Sequence, residues 1–535
     1  MKEQSFVSDR PNFLILMADQ LTARALPCYG NQVAKTPHID ALAAAGVVFD
    51  SFYCNSPLCA PSRFSTLSGR QISAIGAYDN AAEFPAQVPT LAHYLRDAGY
   101  QTVLSGKMHF CGADQLHGFE ERLTTDIYPA DFGWTPDWSR FEHRPSWYHS
   151  MDSVTQAGPC TRTNQVDFDD EVVFQARQKL FDMARSQDKR PFCMVASMTH
   201  PHDPYVIPQP YWDRYEGIDI DMPRVRIKPE LLDPHSRRLR HVCGLDLQAV
   251  TDAHVRAARR AYYGAVSYVD DQIGVLLAAL SDARFADNTI VLLFADHGDM
   301  LGERGLWYKM NFFEPACRIP LIVHAPGRFA ARRAGESASL VDILPTLVEL
   351  AGGNPAECAT PLDGNSLVVQ LAGGAGKDEV IGEYLAEGAI APLVMIKRGR
   401  YKFVHSPVDP DQLYDLQEDP DELRNLASLM PHATRVRELR DEVARRWDMN
   451  ELQAAVMASQ RQRHRCTMPC ARDATRPGIF SRSATQAGSM CAMIRISATS
   501  RPWQDFLPFR HDAAPTDVAF CAASSYHHAI KMRQS

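Results

Sequence analysis

Asp19 directly follows the apolar run 13–18, and the pair Asp296-His297 directly follows the apolar run Thr289–Ala295. A hard divalent cation prefers carboxylate and other oxygen ligands, so this set suits a metal site. An ion held there would stabilise negative charge developing beside it. Alone, Asp19 reads equally well as the cap of a following helix; beside Asp296-His297 the metal reading prevails. Lys107 and His109 follow the strand-like segment 101–104, and His200 and His202 follow the apolar run 192–197. Cys59-Ala60-Pro61-Ser62-Arg63, continued by Leu67 and Gly69-Arg70, adds a thiol and a guanidinium, although an isolated cysteine would read as a small buried residue in a turn. Trp134, Trp138, Trp147 and Tyr148 gather amid Asp131 and Asp137, without the periodicity of a core element. Aromatic side chains are usually core residues, but this stretch reads as a loop.

Elements that could position these residues are legible in the same runs. Short apolar segments alternate with helical patterns, the mark of an α/β sheet covered by helices. Asn12–Ala18 reads as a buried strand, Pro37–Ala45 as a helix closed by Gly46, 90–98 as a helix closed by Gly99, and 340–351 as a further helix. Each polar cluster thus lies at the end of an apolar strand, where open α/β sheets bind ligands. A second unit is expected from about Gly373, with 395–404 and 412–416 forming an antiparallel piece packed on the first. The expected organisation is therefore residues 1–372, 373–465 and a tail, 466–535. No internal repeat is present.

Composition narrows the class. A chain of 535 residues can bury a large core. Its net charge of −8, with no basic run before the tail, argues against nucleic acid as a partner. Nothing resembles a membrane span, and the run 13–18 is too short for a secretory signal, so a cytoplasmic enzyme is expected. The 13 cysteines lack Cys-x-x-Cys spacing and read mostly as reduced core residues.

The Cys59 run resembles the signature of the type I sulfatases, Cys-x-Pro-Ser-Arg-x-x-x-Leu-x-Gly. The resemblance implies an alkaline-phosphatase-like fold, a central mixed sheet flanked by helices with a smaller C-terminal α+β subdomain. It implies that Cys59 is oxidised to formylglycine by a maturation enzyme. The hydrated aldehyde is a geminal diol: one hydroxyl attacks sulfur, and the other collapses to the aldehyde and expels sulfate. Asp19, Asp296, His297 and the matured residue 59 would hold the ion, calcium by family habit, although magnesium or manganese would satisfy the same ligands. Gln20 stands where the family commonly has a second Asp; it would either donate an amide oxygen or stand behind the ligands. Arg63, Lys107 and Lys309 match family cations for the sulfate oxygens, and His109 would orient one hydroxyl of the diol. An alkoxide leaving group needs a proton, for which His202 and Lys309 are candidates, with His200 as the alternative or a structural residue.

Longer motifs, including Ala77-Tyr78-Asp79-Asn80, Gly106-Lys107-Met108-His109-Phe110, Met198-Thr199-His200-Pro201-His202-Asp203-Pro204-Tyr205 and Arg304-Gly305-Leu306-Trp307-Tyr308-Lys309-Met310, resemble the choline-sulfatases from about residue 12 to residue 426. That resemblance implies choline O-sulfate as substrate and a homo-oligomer. Trp134 and Phe110 are then expected as cage residues for the quaternary ammonium, with Asn80 as a polar contact. Phosphonate or phosphate monoester hydrolysis, or another sulfatase specificity, is the chemically close alternative. A binding-only member impaired by its tail is the other.

After Arg465 the sequence loses periodicity and gathers Cys466, Cys470, Cys491 and Cys521 among scattered Ser, Arg and Met. Disordered extensions are usually poor in cysteine, and a frameshift fits better. Permitted codons for residues 466–480, read one base earlier, give Val-His-Asp-Ala-Leu-Arg-Thr-Gly-Arg-Tyr-Thr-Pro-Trp-Asp-Phe, which resembles the usual choline-sulfatase C terminus.

Overall fold

The computed structural model describes residues 10–129 and 131–467. Eight strands, β1 (Asn12–Ala18), β2 (Val47–Phe49), β3 (Gln101–Gly106), β4 (Glu121–Arg122), β5 (Phe192–Met198), β6 (Thr289–Ala295), β7 (Leu321–His324) and β8 (Arg332–Ala334), form one sheet in the order β8-β2-β7-β6-β1-β5-β3-β4. β1 lies at its centre, parallel to β5 on one side and β6 on the other, and every residue of all three strands is buried. That is why these runs are continuously apolar rather than alternating. β7 pairs antiparallel with both β6 and β2, so the sheet is mixed.

Helices α1 (Pro37–Ala45), α2 (Cys59–Ser68), α3 (Leu91–Asp97), α4 (Asn164–Arg185), α5 (Asp252–Asp282) and α6 (Ile343–Leu350) cover the sheet. α4 packs on α5 and α5 on α1, while α6 packs on α2 and α3. Local chemistry sets their ends. Pro37 opens α1 at a position where no backbone donor is needed. Thr90 and His93 close a reciprocal cap at the start of α3. Gly69 ends α2 with φ of 65°. The expected 340–351 helix opens with one 3-10 turn, Leu340–Asp342, before α6. Among the described residues the cysteines are all free, and no helix is long and apolar enough to cross a membrane.

Towards the C terminus, β9 (Glu379–Tyr384), β10 (Leu393–Arg398), β11 (Tyr401–Ser406) and β12 (Asp409–Asp415) make a four-stranded antiparallel sheet. The stretch 395–404, read from sequence as one piece, is a hairpin that reverses at Gly399, where φ is 54°. α7 (Ala433–Arg446) packs Val436, Leu439 and Val443 against Val394, Ile396, Phe403 and Leu413 in a separate small core. α8 (Met449–Thr467) leaves this sheet and buries Val456 in the main core. It therefore includes Cys466 and Thr467 of the expected tail. Residues 468–535, where the rest of the frameshift reading falls, lie outside the described residues.

Candidate active site

The carboxyl ends of β1, β3, β5 and β6 converge on the start of α2. Cys59 is the first residue of that helix and is 2% exposed. Asn80 accepts the Ala60 N–H through Oδ1 at 3.0 Å, which fixes the helix start against a neighbouring turn. The thiol lies 3.2 Å from His297 Nε2 and 3.7 Å from Asp19 Oδ1. Burial, with Asp19 beside it, pushes the thiol up to about 11, so an unmodified Cys59 is a poor nucleophile at neutral pH.

Asp19, Cys59, Asp296 and His297 each offer one ligand atom, all within 4.8 Å of one another and all buried. The His297 Nδ1–H donates to the Gly298 carbonyl at 3.0 Å, leaving the Nε2 lone pair facing the cluster. Two carboxylates and a neutral imidazole are an appropriate donor set for a divalent cation. The sequence-expected Gln20 is spent elsewhere. Its backbone N–H donates to Asp296 Oδ1 at 3.0 Å, its amide NH2 to Asp299 Oδ2 at 2.7 Å, and its amide oxygen accepts from Lys309. The Gln20 amide is thus held by Asp299 and Lys309 beside the cluster.

Counter-charge lies beneath. Arg63 donates through Nε to Asp296 Oδ2 at 2.9 Å and through Nη1 to the Lys107 carbonyl and Ser197 Oγ. Lys107 pairs with Asp19 and sits 3.9 Å from the centre of the Tyr128 ring. Burial alone would raise the Asp19 carboxyl, but Lys107 and Arg63 outweigh it and hold it well below the carboxylate range. Gly106 makes this arrangement possible: its φ is 107°, and a Cβ there would meet the Ser197 carbonyl oxygen at 2.0 Å.

Above this floor a cavity is lined by Cys59, Asn80, His109, Tyr128, Trp134, Trp147, His149, His202, Asp203, Lys309 and Glu387. Lys309 donates to His202 Nε2 at 2.7 Å and to Gln20 Oε1 at 2.5 Å. His202 Nδ1 faces the Asp203 carbonyl at 2.7 Å, which can only accept, so Nδ1 carries the hydrogen and Nε2 receives the lysine's. Burial, reinforced by Lys309, depresses His202 well below the histidine range. Burial opposes the Lys309 ammonium too, but the carboxylates of Asp203 and Asp19 favour its charged form and the group is raised. The proton in this pair therefore resides on Lys309. His109 is pushed down to about 3 by burial and Lys107, and neither ring nitrogen has a protein partner.

Several sequence-expected residues fall elsewhere. Phe110 does not line the cavity; it is 1% exposed and stacks in the core with Phe64 and Phe84. His109 has a φ of 64°, and that local backbone sends His109 and its neighbour to opposite surroundings. Arg63 and Lys107 form the layer under the lining instead of the lining itself. His200 bonds Asp169 Oδ2 through Nδ1 at 2.7 Å and is not among the lining residues. Trp134 and Trp147 reach the cavity, whereas Trp138 donates its indole N–H to the Ala386 carbonyl at 3.0 Å.

The sequence reading missed Tyr128, His149 and Glu387 in this lining. Tyr128 stacks on His109 with ring centres 4.8 Å apart and meets Trp134 edge-on at 5.3 Å. Glu387 is 3% exposed, its Oε2 has no hydrogen-bond partner, and burial pushes its carboxyl up to about 7. Tyr128 lay just outside the aromatic stretch 134–148. Glu387 follows β9, in the unit that the motifs did not connect to chemistry.

Known proteins bear on this geometry. The family model described as Sulfatase matches residues 11–353, and that described as N-sulphoglucosamine sulphohydrolase, C-terminal, matches 302–448. A choline-sulfatase of Rhizobium meliloti is 47% identical over 463 residues, 85% of this chain and 90% of that protein. An arylsulfatase of Clostridium perfringens is 26% identical over 456 residues, 81% of this chain and 93% of that one. The crystal structure of the phosphonate monoester hydrolase of Agrobacterium radiobacter superposes with a TM-score of 0.65 at 25% identity, covering 84% of this chain and 96% of that one. With the family match spanning more than half of the chain and the signature cysteine at the head of a helix among buried carboxylates, the chain belongs to the sulfatase family and is a sulfuric ester hydrolase of alkaline-phosphatase-like fold.

Proposed function

We propose that the protein hydrolyses choline O-sulfate to choline and inorganic sulfate in the cytoplasm. The observation that carries this reading is one cavity whose lining combines two kinds of group. Cys59, Lys309 and the charged floor beneath them suit a sulfate group. Tyr128, Trp134, Trp147 and the buried Glu387 suit a quaternary ammonium. The 47% identity to a choline-sulfatase supports the same substrate.

In this reading a maturation enzyme converts Cys59 to formylglycine, whose hydrate would supply both the nucleophile and the internal means of expelling sulfate. Asp19, Asp296, His297 and the side chain of residue 59 would hold a divalent ion, calcium by family habit, which would supply positive charge and acidify the attacking group. The chain's own residues do the remaining work. Lys107 and Arg63 keep Asp19 ionised, and Arg63 holds Asp296 in place. His109, with two unpartnered ring nitrogens facing the cavity, orients the attacking group. Lys309 delivers a proton to the departing choline oxygen, and His202, held as the neutral tautomer, keeps the ammonium aimed. Asn80 holds the start of α2 and borders the substrate.

The test is the mass of the Cys59 peptide, measured together with choline and sulfate release. Aldehyde or its hydrate with release of both products supports the reading. Matured protein that cleaves a phosphonate monoester and leaves choline O-sulfate intact refutes it in favour of the alternative hydrolase. Cys59→Ser is expected to fold and to lose steady turnover, since an alcohol has no internal route for expelling sulfate; multiple turnover by that variant refutes the formylglycine step.

A further inference from the structure

α8 is the last described element, far in sequence from every catalytic motif, yet its final turns bond residues adjacent in sequence to two residues of the cavity lining. Arg463 is 6% exposed. It makes a two-pronged ion pair with the fully buried Asp79, Nη1 to Oδ1 at 2.5 Å and Nη2 to Oδ2 at 2.6 Å. The same Nη1 also donates to Thr135 Oγ1 at 3.2 Å. Asp79 precedes Asn80, which borders the cavity and holds the helix start that carries Cys59. Thr135 follows Trp134, a residue of the aromatic wall. One turn earlier Gln460, also buried, accepts the Trp138 backbone N–H through its side-chain oxygen at 3.0 Å. The helix is itself anchored in the main core by Val456.

We infer that Arg463 is a positioning residue: by gripping Asp79 and Thr135 together it sets the spacing between the Asn80 turn and the Trp134 wall. A guanidinium suits this, because its planar fork meets a carboxylate with two bonds and keeps a hydrogen for a third partner. Asp79 also accepts the Ala81 N–H, so its carboxylate stiffens the turn while Arg463 fixes where the turn stands. Neither residue touches substrate in this arrangement. Their effect passes through Asn80 and Trp134.

The kinetic arm of the test rests on the choline O-sulfate reading, and the exchange arm does not. Arg463→Met, Arg463→Lys and the double variant Asp79→Asn/Arg463→Met are compared with the wild-type full chain by thermal melting, by amide hydrogen exchange and by kinetics on choline O-sulfate and 4-nitrophenyl sulfate. The double variant removes both buried charges, so it remains informative if Arg463→Met alone does not fold. Exchange is expected to rise in segments 77–82 and 131–138, with β1 and β6 unchanged. Choline O-sulfate kcat/KM is expected to fall by about tenfold to a hundredfold, chiefly through KM, as for a misplaced binding group. The lysine variant keeps the charge without the fork and should lie between. Unchanged exchange in both segments overturns the inference. So does wild-type kcat/KM in folded Arg463→Met or in the double variant. A wild-type chain that cleaves neither ester refutes the substrate reading alone, and the exchange pattern then decides for Arg463.

Discussion

Glu387→Gln separates recognition of a cation from everything else the cavity does. Burial pushes this carboxyl up to about 7, against an ordinary 4.5, so at pH 7 about half of it is ionised. Completing the ionisation when a cation arrives costs only about 0.4 kcal/mol, the free energy of a factor of two. The attraction gained is larger: unit charges about 5 Å apart, the contact distance of a trimethylammonium, interact by roughly 3 kcal/mol at an effective dielectric of about 20. The net, roughly 2 to 3 kcal/mol, corresponds to a loss of about 30- to 150-fold in kcat/KM for choline O-sulfate. Glutamine keeps the shape and part of the polarity, so the loss reads charge. An anionic aryl sulfate has no cation to lose and should hold steady or improve, because the variant removes a negative charge near its path.

The pH dependence follows with a definite sign. A carboxyl raised in the folded state is neutral below about 7 and charged above it, so affinity for the cationic ester is present above pH 7 and lost below it. KM for choline O-sulfate should rise about tenfold per unit below that point, and the glutamine variant should lack this limb. The same burial destabilises the folded chain once the pH passes from the unfolded value through 7, by up to about 3 kcal/mol. Glu387→Gln should therefore melt higher than wild type at pH 8 while recognising choline worse. Equal kinetic losses on both esters, or a lower melting temperature, refute the assignment.

The strands that deliver Asp19, His202 and Asp296 were legible because each is buried on both faces and therefore almost wholly apolar. Such runs end abruptly where the chain meets the cavity. Helix starts and stops at Pro37, Gly46 and Thr90 were equally readable, since capping is a local matter of a few residues. Direction within a motif was not. His109 and Phe110 are neighbours, and only the left-handed backbone at His109 decides which one enters the cavity. Contributions from distant chain were invisible for a different reason. Glu387 and Arg463 carry no local signature; one is an acid after an ordinary edge strand, the other one arginine among several on a basic helix. What distinguishes them is burial beside a partner far away in the chain, as with Lys309 near Glu387 and Asp79 bound to Arg463 384 residues away. That property exists only once both units have packed together.

Trp134→Ala should lower kcat/KM for choline O-sulfate about tenfold, the worth of one well-placed aromatic at roughly 1 to 2 kcal/mol, with little change for a neutral-tailed aryl sulfate; equal losses would make Trp134 a support of the fold. Asp296→Asn should lower bound metal, read by atomic emission, and kcat together, and unchanged metal content would exclude Asp296 as a ligand. The assignment of the departing proton to Lys309 makes the sharpest demand. A general acid matters in proportion to the basicity of the group that leaves, so its removal penalises poor leaving groups most. Lys309→Met should also weaken sulfate binding, which lowers all esters alike. The two effects separate in a series of aryl sulfates graded by phenol acidity. The plot of log kcat/KM against phenol pKa should drop and also steepen, with the least acidic phenol losing about a hundredfold more than the most acidic. His202→Gln, which keeps an acceptor for the Lys309 ammonium, should drop the line with much less change of slope. Parallel lines for Lys309→Met and wild type would show that the lysine only binds sulfate, and steepening in His202→Gln instead would move the acid to the histidine.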